Sequence, residues 1–463
     1  MQISFSGLRL SSLAQSSLFI GLMAPTLLTG LDHHLFGVAL PAIRQGFGIE
    51  ADMAAWASMV YTLPFMALMP LYGSLGDGLG KRRLLIFGAL IFLLGTALVF
   101  VSPSLGWFMV GRAIQGVGTA GFVPLCLAII AESYAAEERG RMMGTWNSLI
   151  PFIGMSVPYF GGLLIDATSW RAIYPIIFGT GVLSLFLMQR NLPVRPSAPD
   201  PDFLRRFDWV GVGLLSGALV SLLFFTSSRP ITGVAALQDW RLLGVCLLLF
   251  ALLVLWERRR SQPYVNLTLF AKPTFTFASL CAGLRMFLMS AISFVTPLYL
   301  TDIHGLNASM VGVVLALQAG ALFIVSRLGG TLADRWGSRI PAVVSMTGLV
   351  LLMIGLAYLP ANAPVWLVAS AATGHGLLIG ISLAPLHRAA MHGIAPHESG
   401  SAAGMYSMLR FAGQILGTAM GGVTLQRWLT QTSMPITAYQ NVFWMFAWVA
   451  VLATAMSWML RDK

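Results

Sequence analysis

Two short stretches, GSLGDGLGKRR at 73–83 and GTLADRWGSRI at 330–340, decide the fold of this chain. Five residues recur in them at identical spacing, 257 positions apart: Gly73, Leu75, Asp77, Gly80 and Arg82 return as Gly330, Leu332, Asp334, Gly337 and Arg339. Internal repeats of this kind are typical of transporters built from two related halves. Each copy lies in a charged turn between long apolar runs. We therefore predict that each half places its copy between its second and third helices.

The composition is that of a membrane protein. Of 463 residues, 57% are hydrophobic and 10% are charged, whereas a soluble domain carries roughly 25% charged residues. Apolar runs such as 242–255 and 347–356 recur along the whole chain, so the excess is not one anchor or signal segment. The three cysteines lie far apart without CxxC spacing, which indicates neither a disulfide framework nor a metal site.

Dividing the chain where charges, prolines or glycine clusters interrupt the apolar runs predicts an all-α integral membrane protein with fourteen transmembrane helices. The predicted spans are 15–41, 54–74, 84–102, 107–130, 141–164, 171–189, 208–227, 240–257, 275–299, 310–330, 340–358, 364–387, 402–424 and 438–459.

The distribution of Lys and Arg predicts the orientation. Connecting segments on the N-terminal side hold nineteen of the 28 basic residues, the other side holds five, and four lie within spans. Because basic residues favour the cytoplasmic side, both termini are predicted to be cytoplasmic. The net charge of +11 is spread over short clusters that suit an anionic membrane surface, and we predict no nucleic-acid partner.

The repeat and the spans predict three regions. Residues 1–190 form an N-terminal six-helix half, residues 191–272 a linker and an inserted helix pair, and residues 273–463 a C-terminal six-helix half. The linker prediction rests on four prolines and mixed charges between Arg190 and Phe207.

Four motifs together resemble the major facilitator superfamily, and within it the fourteen-helix drug:proton antiporter family. GSLGDGLGKRR resembles the cytoplasmic loop signature, LDHHLFGVALP at 31–41 the first-helix signature, MVGRAIQGVGTAG at 109–121 the fourth-helix signature, and VPYFGG at 157–162 the fifth-helix antiporter signature. Gly78, Val157, His34 and Gly37 depart from the usual residues. The resemblance implies a major facilitator fold arranged as 6+2+6 helices, in the cytoplasmic (inner) membrane. It also implies proton-coupled export of small amphipathic molecules, as in multidrug efflux, by alternating access.

Charged groups inside the membrane are costly unless paired or hydrated, so they indicate function. Asp32 is the one carboxylate deep within a predicted span, and Arg112 is at a comparable position in the fourth span. Together with the titratable His34, they are the predicted proton-coupling residues. The alternatives are an aspartate that snorkels to the outer interface or caps a helix, and a structural arginine bonded to backbone carbonyls.

The remaining candidates are assigned to a substrate cavity, a gating loop and a helix kink. The predicted cavity residues are His33, Tyr61, Gln115, Trp146, Arg285, Phe287, Tyr299, His375, Tyr406 and Arg410. The cytoplasmic gating loop comprises Gly73, Asp77, Gly80, Arg82, Asp334 and Arg339, with the charge rule alone as the alternative explanation. Gly154, Pro158, Gly161 and Gly162 are predicted to kink the fifth helix, or to form an ordinary small-residue packing face.

Other functions compete with export. Arg285 and Arg410 also suit a proton-coupled symporter or exporter of an organic anion. A membrane enzyme would need clustered Asp, Glu or His, and a channel would need a pore ring; neither pattern is present in the sequence. No GxxxxGK[ST] motif is present, which favours an ion gradient over ATP. We predict no cofactor and no metal, with a small-molecule substrate, protons and membrane lipids as partners. The chain is expected to be a monomer, and the substrate and any adaptor or outer-membrane partner stay open.

Overall fold

A computed structural model describes residues 12–134, 136–193, 208–260, 267–394 and 399–460. Most of the predicted linker lies outside the described residues. The principal helices are α1 (Ser12–Phe47), α2 (Ala51–Leu79), α3 (Lys81–Phe100), α4 (Leu105–Thr119), α5 (Phe122–Ser133), α6 (Ala136–Gly154), α7 (Val157–Ala167), α8 (Ile173–Asn191), α9 (Trp209–Ser227), α10 (Arg229–Thr232), α11 (Trp240–Glu257), α12 (Pro273–Asp302), α13 (Ala308–Trp336), α14 (Arg339–Ala357), α15 (Val365–Ile381), α16 (Leu383–Met391), α17 (Ser399–Gln431) and α18 (Pro435–Trp458).

Within the described residues, eleven helical segments are long and apolar enough to cross a membrane. Three further long helices, α1, α2 and α17, are not in this set. The protein is therefore an all-helical, multi-pass membrane protein, and the count of fourteen spans stays a prediction.

The two copies of the repeat form the same local structure. Gly80 (φ 92°) separates α2 from α3, and Gly337 (φ 75°) ends α13 before α14 begins at Arg339. A backbone φ in this range favours glycine because it has no Cβ. The motif thus makes a tight turn between consecutive helices in both halves of the chain.

Close helix packing also repeats in the two halves of the chain. A Cβ at Gly116 in α4 would overlap the backbone oxygen of Tyr61 in α2, and a Cβ at Gly376 in α15 would overlap that of Gln318 in α13. Only glycine allows the backbones to approach so closely. We call helices α1–α8 the N-terminal bundle and α12–α18 the C-terminal bundle.

The bundles meet mainly along two helix pairs, α7 with α13 and α2 with α17. At one end of the bundles, which we call the Arg44 end, polar contacts join the two bundles. Arg44 Nη1 pairs with Asp302 Oδ2 at 2.7 Å, and Gln426 Oε1 accepts a hydrogen bond from the Ala51 backbone at 3.0 Å. The Asp166 carboxylate accepts from the backbone N–H groups of Ala308 and Ser309 at 2.8 and 2.9 Å, where it caps α13 from the other bundle. The opposite end, which holds the Gly80 and Gly337 turns, is called the Gly80 end.

Helices α9 and α11 pack on each other, and α9 also contacts α2 and α17. This inserted pair therefore touches both bundles. Arg229, in the connection after α9, bonds to Asp52 at 2.7 Å and to Glu50. The Trp56 indole donates to the Ser227 carbonyl at 2.6 Å. These contacts attach the pair to the start of α2 at the Arg44 end.

Candidate functional site

A cavity lies between the two bundles, with about 1320 Å³ of empty space when its open mouth is counted. Helices α1, α2, α4 and α6 line it from the N-terminal bundle, and α12, α13, α15 and α17 from the C-terminal bundle. The lining mixes apolar, aromatic, amide, hydroxyl, imidazole and thioether groups, among them Phe36, Leu40, Ser58, Thr62, Met286, Met289, Ser290, Ser293, Phe294, Gln318, Gln414 and Thr418. Such a wall suits molecules with both apolar and polar parts.

An ion pair dominates the wall from the N-terminal bundle. Arg112 Nη1 donates to both carboxylate oxygens of Asp32, at 3.0 and 2.9 Å, and to Gln115 Oε1 at 2.8 Å. Asp32 is 0% exposed and Arg112 2%. The guanidinium lies against the rings of Phe36 and Tyr61, 4.3 and 4.5 Å from their centroids. A buried charge of this kind is stable only with such a partner.

Local packing of α3 against α4 holds Arg112 in place. Gln115, three residues after Arg112 and on the same helix face, donates to Thr96 Oγ1 of α3 at 2.8 Å. A Cβ at Gly95 would lie 2.7 Å from the Gln115 backbone nitrogen, so this glycine allows α3 to come close. A series of hydrogen bonds therefore runs from Thr96 through Gln115 and Arg112 to Asp32. The close approach of the α3 and α4 backbones holds it in place.

His33 and His34 both line the cavity, with ring centroids 5.2 Å apart. His34 Nε2 is 3.1 Å from the Ile150 carbonyl oxygen of α6. Gly154 makes room for this ring, since a Cβ there would lie 2.6 Å from His34 Cε1. His34, which departs from the first-helix signature, therefore fits against Gly154, a residue of the predicted fifth-helix kink.

The opposite wall carries His375, whose Nδ1 is 2.8 Å from Gln318 Nε2. The Ser290 hydroxyl donates to the Gln414 carbonyl at 2.6 Å and links α12 to α17. Gln318 and Gln414 were not among the predicted cavity residues. An amide in the middle of an otherwise apolar span was the sequence signal that would have identified them.

Among the predicted site residues, six line the cavity: Asp32, His33, His34, Tyr61, Arg112 and His375. The others lie outside its lining. Gln115 supports Arg112, and the Trp146 indole donates to the Leu22 carbonyl at 3.2 Å. Phe287 packs on Phe446, with ring centroids 6.4 Å apart. Tyr299 packs on Tyr439 and Phe443 in the C-terminal bundle, where the Tyr439 hydroxyl donates to Asp302 at 2.7 Å.

Arg285, Arg410 and Tyr406 lie together on the Gly80 side of the cavity. Arg285 is 2% exposed, and its Nη1 donates to the Ile379 carbonyl at 3.2 Å. Arg410 Cζ lies 5.7 Å from the Tyr406 ring centroid, and that ring contacts His387 at 5.3 Å.

The fifth-helix motif marks a break in the helix. Helix α6 ends at Gly154 and α7 begins at Val157, directly before Pro158. A Cβ at Gly162 would overlap the Ala308 carbonyl oxygen, so α7 touches the start of α13. A Cβ at Gly161 would overlap the side chain of Leu35 in α1, within the N-terminal bundle. The motif therefore both interrupts the span and forms the contact between bundles.

In the second copy of the loop motif, Asp334 pairs with Arg388 at 2.7 Å, and Arg339 lies over the Trp458 ring at 4.9 Å. In the first copy, Arg82 donates to the Gln189 carbonyl. The side chain of Asp77 lies outside the described residues. Its role in the cytoplasmic gating loop stays a prediction.

The buried Asp52 at the Arg44 end was not singled out in the sequence. It is 1% exposed, while its partner Arg229 lies on the surface. The hydrogen bond to Asp52, followed by that to Glu50, raises the pKa of Arg229 further above its usual range, although partial burial opposes the shift. Arg229 therefore stays charged beside the buried Asp52 carboxylate.

Comparison with known proteins identifies the family. The sequence model of the Major Facilitator Superfamily matches residues 22–418. The chain belongs to this superfamily. It is a transporter rather than an enzyme, and transporters of this kind bind small molecules and are generally monomeric. The superfamily prediction is thus confirmed, whereas the fourteen-helix subfamily stays a prediction.

Curated relatives include pumps and a vitamin transporter. The chain is 30% identical over 410 residues to the multidrug resistance protein Stp of Mycobacterium tuberculosis (strain CDC 1551 / Oshkosh), covering 88% of this chain and 75% of Stp. It is 29% identical over 411 residues to the drug efflux pump JefA of the same strain, covering 86% and 78%. It is 26% identical over 430 residues to the riboflavin transporter RibZ of Clostridioides difficile (strain 630), covering 91% and 92%.

Solved structures share the fold. A bacterial homologue of the human lysosomal transporter Spinster, inward-facing and unoccupied, superposes with a TM-score of 0.69 at 16% identity, covering 97% of each chain. A D-xylose–proton symporter gives 0.70 at 14% identity, covering 97% of this chain and 98% of the symporter. At this identity the likeness concerns the fold alone.

Proposed function

We propose that the protein is a proton-coupled exporter of small amphipathic molecules in the cytoplasmic membrane. It has fourteen spanning helices arranged as 6+2+6 and both termini in the cytoplasm. It works as a monomer by alternating access of one cavity to the two sides. The observation that carries this proposal is the buried Asp32–Arg112 ion pair in the wall of a cavity between two bundles.

The helix lengths support fourteen spans. Helices α1, α2 and α17 contain 36, 29 and 33 residues, and about 20 suffice to cross a bilayer. Each runs alongside helices of the apolar set and contributes to the cavity wall. Several of their polar residues face the cavity, which is where a transporter tolerates them: Asp32, His33 and His34 of α1, Ser58 and Thr62 of α2, and Gln414 and Thr418 of α17.

Asp32 supports proton coupling because it is the one carboxylate among the cavity-lining residues that the structure describes. When ionised it is held by Arg112; when protonated it releases Arg112, which Gln115 still holds in place. A hydrogen-bond donor of the substrate that takes the place of Arg112 at the ionised carboxylate competes with the proton for Asp32, so the two exclude each other there. That exclusivity is what antiport requires.

Burial along α2 supports alternating access. Its residues 51–59 are mostly buried against the other helices, whereas residues 60–69 are mostly half-buried. Together with the cross-bundle contacts at the Arg44 end, this gradient favours a state closed at the Arg44 end and open towards the Gly80 end. With cytoplasmic termini, that state faces inward.

The amphipathic cavity wall and the relatives Stp and JefA support export of amphipathic compounds. A growth-inhibition panel of dyes, cationic antiseptics, fatty acids and organic anions, in cells with and without the protein, identifies compounds to test. In inside-out vesicles with an acidic lumen, an exported compound should then raise the lumenal pH as it enters. Acidification of the lumen would indicate symport, and no proton movement with any transported compound would contradict the proposal.

A further inference from the structure

The C-terminal bundle holds three basic side chains and a tyrosine next to the cavity. We call Arg285 of α12, His387 of α16, and Tyr406 and Arg410 of α17 the cationic cluster. Helices α12 and α17 touch here, because a Cβ at Gly413 would overlap the Gly283 carbonyl oxygen. The two arginines are close enough for their like charges to repel each other.

Neither arginine is neutralised by a carboxylate in the described part of the chain. Arg285 bonds only to the Ile379 carbonyl and, at 3.2 Å, to the Met286 sulfur. Arg410 makes no hydrogen bond or ion pair with any described residue and contacts the Tyr406 ring. In the other bundle, Asp32 and Arg112 cancel each other's charge. The region beside the C-terminal wall of the cavity therefore carries an excess of positive charge.

The helix register connects the cluster to the cavity. Arg410 lies one turn before Gln414 and two turns before Thr418, both of which line the cavity. Arg285 directly precedes the lining residue Met286 and lies one turn before Met289. The cluster thus borders the cavity on the Gly80 side.

We propose that the cationic cluster binds the anionic group, a carboxylate, phosphate or sulfonate, of the transported molecule. Two guanidinium groups without a protein counter-ion next to a cavity favour an anion from outside the chain, because an unpaired charge within the membrane is costly. The apolar body of the molecule then lies against Met286 and Met289, with Phe36 and Tyr61 opposite. This inference rests on the proposed transport function and narrows its substrates to anionic amphiphiles.

A matched pair of ligands tests the inference: naphthalene-2-carboxylate and naphthalene-2-carboxamide, which differ in charge but hardly in shape. Their affinities for the purified full-length protein in lipid nanodiscs are measured by calorimetry at neutral pH. The parent protein should bind the carboxylate at least about tenfold more tightly than the amide. In Arg410→Gln this ratio should fall close to one, and Arg410→Lys should keep part of it.

Arg427→Gln is the matched control, since Arg427 is exposed on the same helix at the Arg44 end. It should keep the parental ratio. Size-exclusion chromatography and melting temperature show whether each variant is folded. A parent ratio near one, or a ratio that Arg410→Gln leaves unchanged, would overturn the inference.

Lipid composition separates two sources of the anion. The measurements are repeated in phosphatidylcholine and in phosphatidylglycerol nanodiscs. A ratio that persists in both supports the substrate's own anionic group, whereas a ratio lost in phosphatidylglycerol assigns the cluster to a lipid phosphate and overturns the inference. Because binding is measured at equilibrium without a proton gradient, a failure of proton coupling would leave this result unchanged.

Discussion

Two aspartates show how differently the same residue type is used in this chain. Asp32 and Asp52 are both buried and both paired with an arginine. Arg112 is itself buried, with a side chain 3% exposed, whereas the side chain of Arg229 is 37% exposed. Asp32 also faces the cavity, and Asp52 lies at the start of α2. Of the two, only Asp32 lies at the cavity, and it is the residue that we propose to exchange a proton.

The sequence indicated Asp32 because a carboxylate interrupts an otherwise apolar span. Asp52 has the appearance of an ordinary acidic residue in the first turn of a helix, so no local pattern marks it as buried. Its burial depends on the inserted pair, which packs from far along the chain and supplies Arg229. These two residues are 177 positions apart, and the hydrophobic periodicity of the sequence cannot predict such a long-range contact.

Gly154→Ala should reduce transport roughly tenfold, because the added methyl would lie 2.6 Å from His34 Cε1 and 2.7 Å from the Ala319 Cβ. The His34 ring would have to leave the Ile150 carbonyl, and α6 would be pushed from α13. Transport rate per folded molecule is the measurement. Gly179→Ala is the control because open space surrounds that position. Equal rates for the two variants would contradict the assigned role of Gly154.

At the scale of helices, the same glycine contact fixes the packing of α2 with α4 and of α13 with α15. Gly116→Ala and Gly376→Ala should each destabilise the protein by about 1–3 kcal/mol or prevent folding, since the methyl meets backbone rather than a movable side chain. Gly355→Ala, where nothing lies within 4 Å, should leave the melting temperature unchanged. If only one of the two substitutions, Gly116→Ala or Gly376→Ala, lowers the melting temperature, the packing in the two halves is not equivalent.

The inserted pair should stabilise the Arg44 end through Arg229. Arg229→Gln leaves the buried Asp52 without its cation, so we expect a melting temperature several degrees lower, which the added Asp52→Asn partly restores. Arg241→Gln, an exposed arginine on α11 of the same pair, should have little effect. Additive losses in the Arg229→Gln, Asp52→Asn double variant would show that the two side chains are not coupled.

At the scale of the whole molecule, the repeated loop motif and the apolar runs were enough to predict a two-bundle transporter. The membership of the superfamily followed from four local motifs. The cavity wall was predicted only in part, because Trp146, Phe287 and Tyr299 are as apolar and as regularly spaced as true lining residues. Which helix face meets the cavity depends on how the helices pack, as with Tyr299, which packs edge-to-face on Tyr439 instead.

The fourteen-helix topology predicts which loops share a side. In a cysteine-free background, single cysteines at Gln45, Val234 and Met434 should be labelled from outside by a membrane-impermeant maleimide. A cysteine at Trp336 should be labelled only from the cytoplasm. All four residues are exposed in loops or at helix ends. Labelling of Met434 from the cytoplasmic side would show that α17 does not span the membrane.

The most direct test of the account is the response of Asp32→Asn to a proton gradient. An amide keeps the shape and the bond to Arg112 but cannot carry a proton. In proteoliposomes, the variant should lose gradient-driven accumulation of a transported compound by tenfold or more while still exchanging labelled for unlabelled compound at equal pH. Asp239→Asn, on the inserted pair and outside the cavity lining, should accumulate like the parent. Gradient-driven accumulation by Asp32→Asn at the parental level would contradict proton coupling through this ion pair.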